Sequence, residues 1–78
     1  PGTSRITWAR DVEALTPRQR EVLLLIARGL SNTEIEVELG ITRATCRSHI
    51  TALLARLGAR DRAQLVIAAY EAGLISPR

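Results

Sequence analysis

Residues 31–57 decide the fold: Ser31-Asn32-Thr33-Glu34-Ile35-Glu36-Val37-Glu38-Leu39-Gly40-Ile41-Thr42-Arg43-Ala44-Thr45-Cys46-Arg47-Ser48-His49-Ile50-Thr51-Ala52-Leu53-Leu54-Ala55-Arg56-Leu57. The stretch reads as two helices joined by a tight turn. Ser31 and Glu34 have capping-box spacing, each side chain reaching the other residue's backbone amide. Ile35 and Leu39 then share one helix face. Gly40 stands where a helix takes a left-handed residue to stop. Thr42 restarts the chain as an N-cap, and Ile41 is placed to staple onto Cys46. Cys46, Ile50, Leu53, Leu54 and Leu57 recur at helical spacing and predict a buried stripe. Arg47, Ser48, Thr51, Ala52 and Ala55 fall on the other side, which is small, polar, cationic and free of carboxylates. Such a face suits the major groove of DNA. A plain helical hairpin with solvated arginines has the same periodicity. The cap–glycine–cap punctuation, the short turn and the acid-free face together favour DNA.

Working outward, Thr16-Pro17-Arg18-Gln19 opens an earlier helix over 16–28: Thr16 caps it, Pro17 takes the tolerated first position and Gln19 completes the box. Val22, Leu23, Leu25 and Ile26 give it a broad apolar face, and Gly29 ends it. After Gly58, Asp61 caps a last helix, with Gln64 at the box position. Leu65 to Ala72 then run almost without polar interruption to Gly73. A helix apolar nearly all round is covered on more than one side. One side packs on the core, and the other is expected to meet a second copy of the chain, with Leu65, Val66, Ala69 and Tyr70 at the dimer interface. The alternative is that its small alanines leave the outer side nearly neutral and merely exposed.

Residues 1–14 read as a polar lead-in with two apolar points, Ile6 and Trp8: either the end of a linker or a short extra turn that docks Trp8. Residues 15–75 form the domain and 76–78 a tail. The expected architecture is all-α, a four-helix bundle containing a helix–turn–helix. No strand-like alternation or internal repeat appears.

The totals set bounds. A chain of 78 residues buries only about 60% of its unfolded surface, so its core is small. With one Trp, one Tyr and no Phe, that core is built from Leu, Ile, Val and Ala. The net charge of +3 is unevenly spread: residues 1–39 carry −1 and residues 40–78 carry +4. The basic half holds the candidate recognition helix, as expected for a polyanionic partner. All 11 cations are Arg. Arg offers a two-pronged donor to guanine or phosphate, although a compositional bias produces the same count. The single Cys excludes an internal disulfide and fits a reducing, cytoplasmic setting. The longest apolar runs are too short to cross a bilayer. The chain opens on Pro-Gly-Thr-Ser without an initiator Met, as expected of a piece of a longer protein. Cys46 and His49 share a helix face, but a structural zinc needs four ligands. No nucleophile–base pair or glycine-rich phosphate loop is visible, so neither enzymatic activity nor a metal or other cofactor is expected.

The sequence also resembles a known family. Leu15-Thr16-Pro17-Arg18-Gln19-Arg20-Glu21-Val22-Leu23, Gly29-Leu30-Ser31-Asn32-Thr33-Glu34-Ile35, Leu39-Gly40-Ile41-Thr42, Thr45, His49 and Leu57-Gly58-Ala59-Arg60-Asp61-Arg62-Ala63-Gln64-Leu65 are similar to the LuxR/NarL/FixJ-type helix–turn–helix domain, over about residues 15–74. The resemblance implies the DNA-binding output domain of a bacterial transcriptional regulator such as a response regulator. It further implies control by an N-terminal receiver or ligand-binding domain, a homodimer through helix 62–72, and double-stranded DNA with RNA polymerase as a further partner. The family's base-reading positions fall on Arg47, Ser48 and Thr51. Its phosphate-contacting positions fall on Ser31, Asn32, Thr42, Arg43, Thr45 and Arg60.

Three departures stand out. Cys46-Arg47 replaces a common Val-Lys, and the Cys is expected to be a small core hydrophobe. Glu36 replaces a small residue and, with Glu38, makes the scaffold helix acidic, either weakening backbone contacts or pairing with Arg43 or Arg47. Thr51 replaces a frequent Lys. Modest intrinsic affinity is expected, with dimerisation mattering more. Two other readings compete. Sigma-factor region 4 opens with a similar Leu-Thr-Pro-Arg-Gln-Arg helix but needs no dimerising helix. A protein-interaction module of this shape that has lost DNA binding is kept alive by Glu36 and Glu38.

Overall fold

The computed structural model describes residues 3–76, with side chains from Trp8 onward. The tail positions 77–78 and the first two residues of the lead-in lie outside the described residues. Five helices follow in order: α1 Thr3–Glu13, α2 Pro17–Ala27, α3 Asn32–Leu39, α4 Arg43–Leu57 and α5 Arg62–Glu71. No strand occurs among the described residues. The four expected helices are present, and a fifth precedes them.

The extra helix, α1, occupies the stretch read as a lead-in. Its register is set by tertiary contacts. Trp8 Nε1 donates to the Leu57 carbonyl at 2.8 Å, at the far end of α4. Val12 and Leu15 are buried in the same core. Val12, Leu15 just beyond the helix end, and one long-range hydrogen bond thus hold α1 against the core.

Local chemistry explains the other boundaries. The Thr16–Gln19 and Ser31–Glu34 capping boxes both close in both directions. Asp61 accepts from the Gln64 amide at 3.0 Å, but Gln64 Oε1 takes the amide of Arg60, one residue further back than a box requires. Gly40 ends α3 at φ 64°, where Ile41 N–H reaches back to the Glu36 carbonyl at 3.1 Å. An L side chain there is strained, and glycine is not. Gly58 ends α4 in the same way, at φ 60°.

The core is one cluster. Val22, Leu23, Ile35, Cys46, Leu53, Leu65, Ala68 and Ala69 are each fully buried. α2 packs on α5 and α4, α3 packs on α4, and α1 closes the side formed by α4 and α5. Burial corrects the expected interface. Leu65 and Ala69 lie in the monomer's own core, each with no exposed surface, so a second chain cannot reach them while the domain is folded. Apolar residues on the outer side of α5 are Ile67, at 49% exposure, Tyr70 at 39%, and half-buried Val66.

Candidate nucleic-acid interface

α4 sorts its residues as its periodicity predicts. Cys46, Leu53 and Leu57 face inward, with Ile50 and Leu54 partly covered. Arg43, Ala44, Thr45, Arg47, Ser48, Thr51 and Ala55 are exposed, and Ala52 sits half-buried at the edge. The helix contains no carboxylate. Arg43 and Arg47 make no hydrogen bond or ion pair among the described residues, so both guanidinium groups keep all their donors available. Of the two readings of Glu36 and Glu38, the charge pair with Arg43 or Arg47 does not occur among the described residues.

The start of α4 adds a directed donor. Thr42 Oγ1 accepts from the Thr45 amide at 3.1 Å and donates to Thr45 Oγ1 at 3.0 Å. A hydroxyl that already accepts has its own proton free to point outward. Thr45 therefore presents an O–H beside the unpaired amides that open the helix, where the dipole favours an anion.

Ser31 caps α3, and Asn32 is its first residue. Ser31 spends its amide on Glu34 Oε1 at 2.7 Å and its Oγ acceptor on the Glu34 amide at 3.2 Å, keeping its hydroxyl proton. Asn32 links two helices: its carbonyl faces Cys46 Sγ at 4.0 Å, and its side chain meets Arg62. Arg62 thereby draws the start of α5, and the loop carrying Arg60, toward α3. Arg60 itself is exposed. Contacts through Asn32 and Arg62 thus tie the start of α3 to α4 at Cys46 and to the start of α5, and Arg47, Ser48 and Thr51 are exposed along α4. The sequence reading missed Arg62, whose partners lie about thirty positions away and leave no local signal.

Cys46 is buried and its thiol is pushed up from the ordinary value of 9.0, first by burial and then by Glu36, with Arg62 pulling the other way. It is a core group. His49 is half-buried and makes no hydrogen bond among the described residues. No group of three or more His, Cys, Asp or Glu able to hold a metal ion occurs among the described residues. Two concave places, of about 210 and 300 Å³, lie elsewhere, lined by residues of α1 and α2 and by residues 72–74. Neither is lined by a residue of α4. No helix among the described residues is long and apolar enough to cross a membrane.

Comparison with known proteins agrees with this geometry. The family model described as "Bacterial regulatory proteins, luxR family" matches residues 13–69. Similar curated proteins include the response regulator protein VraR of Staphylococcus aureus (strain NCTC 8325 / PS 47), of Staphylococcus saprophyticus and of Staphylococcus epidermidis. Each is 46% identical over 63 residues, covering 81% of this chain and 30% of the relative. The chain spans less than a third of the length of these curated relatives.

Proposed function

The chain belongs to the luxR family of bacterial regulatory proteins, and from that premise we propose that it is the DNA-binding output domain of a transcriptional regulator of the response-regulator kind. The observation that carries this reading is the exposed, carboxylate-free face of α4, on which Arg43 and Arg47 are unpaired among the described residues. α4 lies in the major groove. Arg47 donates bidentately to a guanine, and Ser48 and Thr51 approach neighbouring base edges. Phosphates on either side are held by Ser31, Asn32, Thr42, Arg43, Thr45 and Arg60, with the amides opening α4 contributing. Thr42 serves through Thr45, since its own hydroxyl proton is already used.

Two copies associate through the outer side of α5, with Ile67, Tyr70 and Val66 in contact. Leu65 and Ala69 support that side from beneath. The domain works in the cytoplasm without enzymatic activity, with RNA polymerase as a further partner. In the whole regulator an N-terminal signal-receiving domain controls pairing. Glu36 and Glu38 lower the affinity of a single domain, so pairing supplies much of the binding strength.

Fluorescence anisotropy of the 78-residue chain with a labelled mixed-sequence duplex tests the reading. Each phosphate neutralised steepens the log–log salt dependence by roughly 0.9. A slope worth about three to six contacts is expected. Absence of binding at low salt, at concentrations where the chain is dimeric, overturns it in favour of a protein-interaction module.

A further inference from the structure

Arg62 is half-buried at the start of α5 and holds two acceptors at once. Its Nη1 donates to Asn32 Oδ1 at 2.5 Å, and its Nη2 donates to the Leu30 carbonyl at 2.6 Å. Both acceptors belong to the junction between α2 and α3. The planar guanidinium fork sets their relative position as well as their distance. The same Asn32 has its backbone carbonyl against Cys46 Sγ of α4. Three helices therefore meet at one exposed residue.

The bond to Arg62 decides which way the Asn32 amide points. A carboxamide has one accepting oxygen and one nitrogen with two donors. With Oδ1 turned to a cation, Nδ2 is turned away from it. Nδ2 makes no hydrogen bond among the described residues, and Asn32 is exposed. We infer that Arg62 is a positioning residue for DNA binding: its fork locks the Asn32 carboxamide so that the amide donors face a backbone phosphate. Its charge acts inside the protein and not on the duplex. This rests on the DNA-binding reading above.

The test is a double-mutant cycle on the 78-residue chain, read by anisotropy with the same labelled duplex across a salt series, with a melting curve for every variant. N32A is expected to weaken binding about tenfold, the order of one hydrogen bond to a charged group, while leaving specificity intact. R62K keeps the positive charge but loses the fork. It is expected to weaken binding nearly as much as N32A and to add almost nothing in the R62K/N32A double variant. If Arg62 instead touches phosphate directly, R62K retains most of the affinity and its loss adds to that of N32A, which overturns the inference. Should R62K fail to fold, R62Q decides by its salt dependence. Under the inference Arg62 touches no phosphate, so the log–log salt slope stays that of the parent, and a slope shallower by roughly 0.9 marks a phosphate contact and overturns the inference. A parent chain that does not bind the duplex overturns the DNA reading, and this inference with it.

Discussion

α4 and α5 are built alike and finished differently. Each follows a short turn, each is opened by a side-chain cap, and each buries one face in the same core. On the outside, α4 shows Arg43, Arg47, Ser48 and Thr51, whereas α5 shows Ile67 and Tyr70 beside half-buried Val66. The inner faces are interchangeable in kind, because any close-packed aliphatic stripe lowers the free energy of folding by removing apolar area from water. The outer faces are not. A cationic, hydrogen-bonding face is complementary to a polyanion, and an apolar face to another apolar face. Inward faces make the domain, and outward faces decide what it meets.

The comparison breaks most visibly at Leu65. It lies on the inner face of α5 with no exposed surface, so Leu65→Ala is expected to cost about 2–5 kcal/mol of stability. Chemical denaturation measures it. A loss below about 0.5 kcal/mol, the range of ordinary surface changes, would return Leu65 to the outer face. Next comes Arg47→Ala, expected to remove about 1–3 kcal/mol of discrimination between a selected operator and a mismatched one. The melting temperature and the oligomeric state should stay as they were. Equal loss on both duplexes would make Arg47 a phosphate contact instead. Thr42→Ala removes the cap that starts α4 and the acceptor that orients Thr45. It should cost about 1 kcal/mol of stability and also weaken DNA binding; a purely structural cap would leave binding by the folded fraction unchanged. The smallest effect on the monomer is expected from Ile67→Glu, within about 0.5 kcal/mol for an exposed site. Sedimentation should nonetheless show a weakened dimer, and the cooperative step in DNA binding should vanish. If pairing persists, the apolar side of α5 is not the contact.

Much of this was legible in the residues because the relevant physics is short-range. Gly40 and Gly58 fall at positive φ where the pattern asked for a stop, since a left-handed residue is demanded by the helix end itself. Ser31, Glu34, Thr16 and Gln19 bond to amides within one turn, so their spacing is their geometry. The acid-free side of α4 follows from counting along a helix. α1 was only half legible: docking of Trp8 was one of two readings of the lead-in, and what decides between them is the Leu57 carbonyl, 49 positions along the chain. Acidic α3 was legible in composition but not in consequence: among the described residues Glu36 and Glu38 leave Arg43 and Arg47 unpaired.

By itself, then, the sequence determined where four helices begin and end, which side of α4 is apolar, and that the basic charge gathers in the second half of the chain. Tertiary structure alone decided which side of α5 faces the core, that the lead-in is a docked helix, and that Arg62 grips Asn32 and Leu30. A cap or a periodic stripe is settled among residues within a turn or two of each other. A nearly all-apolar helix such as α5 has no local preference between its sides. Its orientation is set by how well each side fills space against α2 and α4, and that exists only once the chain has closed.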